Sequence, residues 1–256
     1  MKSPALIGLY TMVRKDALRI VRIWSQTLLP PVITTSLYFA IFGGFIGSQV
    51  APIQGYSYMQ FIAPGLIMMT IITSAYTNTV FTFYVAKWWH TLDEILVSPM
   101  PSWAVIAGFL SGGLVRAALT GFLVTLVSLF FTDLVLTHAG ALFGAAFLTA
   151  LIFSFAGIIN AVYAKSMDGI SIVPNFVLTP LTYLGGVFYS VALLPPLFAQ
   201  LSLFNPILYM VNAFRYGFIG VTDLPIATCF GVMGAVALAM LLWTIVLFRK
   251  GIGVKR

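Results

Sequence analysis

The chain is 256 residues long, 61% hydrophobic and only 7% charged, with a formal net charge of +7. Such a composition excludes a soluble globular domain, and the length suits a single helical bundle with no soluble domain beside it. The lone cysteine, Cys229, excludes a disulfide within the chain, and the basic residues sit beside apolar runs, where anionic lipid rather than nucleic acid is the partner they suit.

Residues 4–24 predict an amphipathic helix lying at the membrane interface. Leu6, Leu9, Tyr10, Val13, Ala17, Ile20, Val21 and Trp24 share one face, and Arg14, Lys15, Arg19 and Arg22 the opposite one, so acyl chains meet the stripe and headgroups meet the cations. The segment does not have the short run and cleavage site of a signal peptide. No charge occurs from Ile23 to Ala86, a length too great for one crossing, and the polar stretch from Gly47 to Ser57 divides it into spans at 27–47 and 59–85.

Residues 87–100 read as a cytoplasmic docking helix, with Trp88, Leu92, Ile95 and Leu96 on one face, Asp93 and Glu94 polar, and Pro99 and Pro101 ending it. The alternative is a plain amphipathic loop on the membrane surface. Further spans follow at 104–131, 139–163, 170–189 and 226–248. The stretch 195–221 mimics a seventh, but Asn205-Pro206 breaks the helix and Arg215 is costly at bilayer depth, so two re-entrant helices dipping into the outer leaflet fit better. The expected fold is an all-α membrane protein, one transmembrane domain over 1–256 with six transmembrane helices, an interfacial N-terminal helix and extracellular re-entrant helices between spans five and six.

Orientation follows from the positive charge. With both termini cytoplasmic, the inside holds Lys2, Arg14, Lys15, Arg19, Arg22, Lys87, Lys165, Arg249, Lys250, Lys255 and Arg256, leaving only Arg116 and Arg215. Arg116, inside a predicted span, is either functional or a cation that snorkels or pairs with a buried carbonyl; the second reading is preferred, and it is not counted as a substrate site.

All six carboxylates, Asp16, Asp93, Glu94, Asp133, Asp168 and Asp223, fall outside or at the ends of the spans, which argues against proton coupling. His90 and His138 are predicted on opposite sides of the membrane, so no catalytic pair forms and no metal cluster is expected. No HExxH and no GxxxxGK[ST] occurs, so the chain is read as a non-enzyme that binds no cofactor, and ATP-driven work requires a partner.

In order and spacing the segments resemble the membrane permease of type-2 ATP-binding-cassette exporters, the drug and polysaccharide exporter class. The N-terminal helix resembles the connecting helix of that family, the run Asp93 to Pro99 its coupling helix, and Pro180 to Tyr189 its fifth span. Pro195-Pro196 followed by Asn205, Pro206 and Arg215 resembles its extracellular re-entrant helices and their Asn-Pro…Arg signature. Tyr56 to Met69 points to the small bacterial half-permeases.

The resemblance implies a homodimer in the bacterial inner membrane, served by two copies of a separate ATPase that binds ATP and Mg and docks on Trp88, His90, Leu92, Asp93, Glu94, Ile95 and Leu96. ATPase closure would rock the two bundles between inward- and outward-facing states. Spans one, two and five would line the pathway, with Tyr38, Phe42, Thr70, Ser74, Asn78, Phe81, Tyr183 and Phe188 as candidate cargo contacts. Ser74, Thr77 and Asn78 equally suit helix packing, and Tyr56, Tyr58, Tyr183, Phe188 and Tyr189 suit interface anchoring. With no charged rings along the pathway, an amphipathic or lipid-linked cargo is expected. The alternatives are a haem or lipid-linked polysaccharide export subunit, and a scaffold that docks an ATPase without transport.

Overall fold

The structure, a computed structural model, describes residues 4–47 and 49–251. Lys2, Lys255 and Arg256 of the charge count lie outside them. The described chain is helical: α1 (Pro4–Arg22), α2 (Trp24–Thr27), α3 (Leu29–Tyr38), α4 (Tyr58–Trp88), α5 (Thr91–Val97), α6 (Ser102–Ser128), α7 (Ala139–Tyr163), α8 (Met167–Val173), α9 (Thr179–Tyr183), α10 (Pro196–Leu203), α11 (Pro206–Ile219) and α12 (Ile226–Lys250). Wider π-helical turns carry α3 on through Phe39–Ile46 and join α8 to α9 through Pro174–Leu178.

Four of these helices, α4, α6, α7 and α12, are long and apolar enough to cross a membrane. Helices α10 and α11 meet at a bend of 88° and make a fifth only if the pair is one broken span. The expected first and fifth spans, 27–47 and 170–189, are instead chains of short α and π pieces, and proline marks several of the joints, though the π turns at Phe39–Ile46 contain none. Pro30 and Pro31 open α3, Pro174 opens the π turns after α8, and Pro180 lies in α9. Each removes an amide donor and leaves the carbonyl four residues earlier without its helical partner. Neighbouring helices supply donors instead: Arg116 Nη2 donates to the Thr27 carbonyl that Pro31 orphans, at 3.2 Å, and Asn160 Nδ2 to the Ile170 carbonyl that Pro174 orphans, also at 3.2 Å.

Helix α4 is the axis of the bundle, buried along most of its length between α6 and α7. Its Ser57 N-cap forms a capping box with Gln60. Glycine sets the closeness of packing. A methyl on Gly157 of α7 would stand 3.0 Å from the carbonyl oxygen of Tyr76 and from the amide of Val80, and one on Gly113 of α6 3.0 Å from the Ala75 carbonyl.

The two ends of the bundle differ in charge. At one, Gly8 of α1 abuts Met100, the Phe83 and Phe248 rings lie 6.0 Å apart, and Lys87 Nζ donates to the Val162 carbonyl at the C-terminus of α7 at 2.6 Å. The start of α1, the end of α12 and the α4–α6 and α7–α8 connections therefore share this end, with Lys87, Lys165, Arg249 and Lys250. The opposite end is tied by Gln54 to Asp223 at 2.8 Å, the Tyr56 hydroxyl to the Ile219 carbonyl at 2.8 Å and the Thr137 hydroxyl to the Phe218 carbonyl at 2.6 Å. Its described connecting loops hold no Lys or Arg.

Candidate functional site

A groove of about 340 Å³ runs between α3 and α4, with Pro31, Thr34 and Tyr38 on one wall, Met69 and Thr73 on the other, and Arg116 of α6 at its base. Three predicted cargo residues line it: Tyr38, Thr70 and Ser74. The Thr70 hydroxyl donates to its own Leu66 carbonyl at 3.0 Å and lies 3.3 Å from the Thr35 hydroxyl, so it joins the two helices as well as lining the space between them. Ser74 is 2% exposed, and its hydroxyl has no hydrogen-bond partner among the described residues.

Beside the groove, Tyr38 and Phe42 meet Tyr183 and Phe188, residues distant in sequence. Ring centroids are 5.0 Å apart for Phe42 and Phe188, 5.9 Å for Tyr183 and Phe188, and 6.1 Å for Tyr38 and Phe188, and the two tyrosine hydroxyls lie 3.5 Å apart. Tyr38 and Phe42 are four residues apart on one helical face. Phe188 arrives through a turn at Gly185-Gly186, where Gly186 has φ +71°, a conformation that suits glycine. The other two candidates lie elsewhere. Phe81 is 46% exposed on α4 outside the groove, and Asn78 is buried in a polar cluster with α1.

That cluster differs from the sequence expectation, which placed Arg19 among headgroups. Helix α1 packs along α6 through Met12 against Gly108 and Asp16 against Gly112. Arg19 then turns inward, and its Nη2 donates to the Asn78 side-chain oxygen at 3.0 Å and the Thr82 hydroxyl at 2.7 Å. The physical reason is acceptor supply: the small residues of α6 let α1 approach until α4 offers two oxygens at the right depth. Asp16, 3.9 Å from Arg19, is buried here, and burial raises its carboxyl pKa above the ordinary range while Arg19 and Lys15 pull it down. Sequence periodicity put Asp16 on a helix, but nothing local showed that its neighbour would be a glycine of α6.

The re-entrant signature is a working joint between elements. Asn205 caps α11 by accepting from the Ile207 amide at 3.0 Å, Pro206 occupies the first helical turn, and Asn205 Nδ2 donates to the Leu181 carbonyl of α9 at 2.6 Å. Arg215 is 1% exposed. Its Nη2 donates to the Gly186 carbonyl at 2.7 Å, its Nε to the Phe61 carbonyl at 3.3 Å, and its guanidinium lies 3.8 Å from the Phe61 ring centroid. Asp223, a partner the sequence reading missed, stands 4.0 Å from Nη1 and also accepts from the Ser190 hydroxyl at 2.6 Å and the Val191 amide at 3.2 Å. The only sequence signal for it is a carboxylate eight positions after Arg215 across a glycine turn, Gly220 at φ +70°.

In the 87–100 connection the helix is shorter than expected. α4 continues to Trp88, the chain reverses through His90 at φ +59°, and α5 covers Thr91–Val97. Trp88 therefore does not share a helix with Leu92. Leu92, 1% exposed, anchors the turn with half-buried Ile95 and Leu96, while Trp89 at 75% and Val97 at 88% project outward beside exposed Trp88, Asp93 and Glu94. His90 Nδ1 lies 3.0 Å from Asp93 Oδ2 and holds the turn.

Residues 8–219 match the family model described as ABC-2 type transporter. The chain is 49% identical over 248 residues to the inner membrane transport permease YadH of Escherichia coli K12, covering 96% of this chain and 97% of that one. It is also 26% identical over 188 residues to nodulation protein J of Rhizobium leguminosarum bv. viciae, covering 72% and 71% of the two chains.

Proposed function

The chain belongs to the ABC-2 type transporter family, and from that premise we propose that it is the membrane permease subunit of an ATP-driven exporter in the bacterial inner membrane. Two copies form the pathway, and a separate ATPase in two copies supplies the energy, with ATP and Mg held on that partner. Each copy crosses six times: the four long helices, and the two proline-interrupted helices 29–46 and 167–183, with α10 and α11 re-entrant between the fifth and sixth. The charged end faces the cytoplasm, in keeping with the distribution of Lys and Arg between the two ends.

The observation that carries the reading is the near end-to-end likeness to an inner membrane transport permease. The geometry adds two supports. The tip formed by Trp88, Trp89, Glu94 and Val97 presents apolar side chains at the charged end, on an anchored base where an ATPase can push, and Arg19 ties α1 to the same α4 that bears this tip. The groove and its aromatic cluster are amphipathic, which fits a cargo with polar and apolar parts. Closure of the ATPase pair would press on α5 and α1 and rock the bundles as nearly rigid bodies.

The test is co-purification of the tagged chain with the ATPase encoded beside it, with hydrolysis and export assayed in the wild type and in a Leu92→Asp, Glu94→Arg variant. A complex lost in the variant supports docking through α5. The absence of any ATPase partner overturns the exporter, and an ATPase complex that moves no cargo makes the chain a scaffold.

A further inference from the structure

Arg116 stands near the middle of α6, at a depth where a cation is costly unless it is neutralised. Its only hydrogen bond in the described structure runs from Nη2 to the orphaned Thr27 carbonyl, and its buried Nε has no partner. The ion pairs among the described residues are Arg19 with Asp16, His90 with Asp93, and Arg215 with Asp223, so no carboxylate answers Arg116. A net positive charge therefore faces the base of the groove between α3 and α4.

The hydroxyls around it sharpen the chemistry. Thr73 donates to the Met69 carbonyl at 3.0 Å and Thr77 to the Thr73 carbonyl at 2.7 Å, so both spend their protons on their own helix. Arg116 Nη1 makes no hydrogen bond among the described residues and is accessible, so it is the donor the groove presents, with Gln26 and Thr34 beside it on the lining. Nε and the Ser74 hydroxyl are unpartnered but buried behind the surface. A charged donor with unused N–H groups suits an oxyanion. Away from Arg116 the groove is walled by Leu66, Met69 and Tyr38, which suit an apolar chain.

We propose that this groove binds an anionic amphiphile, with a phosphate or carboxylate headgroup on the Arg116 guanidinium through Nη1 and its tail against Leu66, Met69 and Tyr38. Its meaning as a cargo site rests on the permease reading; the binding itself does not. The oxyanion has two sources, a resident anionic lipid or the exported molecule.

The experiment measures equilibrium binding of radiolabelled dodecyl phosphate to the purified chain in phosphatidylcholine nanodiscs, with ATPase co-purification followed on the same preparations. The wild type is expected to bind saturably, Arg116→Lys to keep most of the affinity, and Arg116→Gln to bind about tenfold more weakly or worse. Thr73→Leu, which fills the groove and leaves the cation in place, is expected to weaken binding as well, and it carries the test if Arg116→Gln is not monodisperse. Neutral dodecyl maltoside should not compete. Competition by phosphatidylglycerol in the disc identifies the resident lipid as the source, and its absence identifies cargo. Equal binding by wild type and Arg116→Gln, no binding by wild type, or equal competition by dodecyl maltoside overturns the site. Such a result leaves the permease standing if the ATPase still co-purifies, whereas intact binding with no ATPase partner removes the permease and leaves the site.

Discussion

Arg19 of α1 reaches the side-chain oxygen of Asn78 in α4, 3.0 Å away and 59 positions later in the chain. The N-terminal helix is thus fastened by a charged hydrogen bond to the most buried helix of the bundle, so a displacement of α1 is felt at the middle of α4. Asn78, one of the candidate cargo residues, is occupied by this role.

Asn78→Leu should therefore loosen α1. Removing the acceptor leaves a partly buried guanidinium with Thr82 and the 3.9 Å contact to Asp16, at a cost of about 1–3 kcal/mol. Thermal unfolding in detergent should show a lower midpoint for Asn78→Leu than for Thr82→Val, and limited proteolysis should cut α1 faster. An unchanged midpoint with impaired export would return Asn78 to the pathway.

The close approach of helices predicts a contrast among glycines. Gly112→Ala drives a methyl into Asp16 and toward Asn78, and Gly157→Ala meets the α4 backbone. Each should cost about 1–3 kcal/mol by overpacking. Gly234 of α12 has open space around its missing side chain, so Gly234→Ala should be neutral or stabilise by up to about 1 kcal/mol through helix propensity. Unfolding midpoints of the three variants decide it.

Asp16 gives the docking of α1 a pH dependence. Burial, opposed by Arg19 and Lys15, raises the pKa of its carboxyl in the folded state, so the folded state holds that proton more tightly than the unfolded one. The resulting stability is fully present below the unfolded value near about 4 and is lost as pH rises through the raised value. Asp16→Asn, which stays neutral, should be more stable than wild type at neutral pH, and the difference should shrink on acidification. A difference in midpoint that is flat across that range would contradict the burial of the ionised group.

Arg215 fastens α11 to the turn at Gly186 and to α4. Arg215→Met strands the Gly186 carbonyl and weakens the balance of charge at Asp223, and breaking such a buried pair costs about 3–5 kcal/mol. The double variant Arg215→Met, Asp223→Asn should recover part of that loss because no lone charge is left behind. A double-mutant cycle with additive effects would show that the 4.0 Å contact carries no coupling.

Much of this was legible in the residues. Hydropathy over windows of about 20 residues found α4, α6, α7 and α12, since a helix long enough to cross a bilayer must be apolar throughout. Asn205-Pro206 marked the break between α10 and α11, and the order of segments pointed to the ABC-2 family. The segments 27–47 and 170–189 were less legible. Their prolines were visible, but whether a proline ends a helix or is absorbed into it depends on whether a neighbour such as Arg116 or Asn160 can reach the orphaned carbonyl.

The sequence by itself determined the class of solvent this chain folds in, its long helices and the asymmetry of its charge, because those properties follow from hydration and periodicity along short stretches. Only the tertiary structure decided that Arg19 faces inward, that Tyr38 meets Phe188, and that Arg116 is left with a free donor at the base of a groove. These depend on contacts between residues tens to more than a hundred positions apart, and the depth at which two helices meet is set by the glycines and side chains between them.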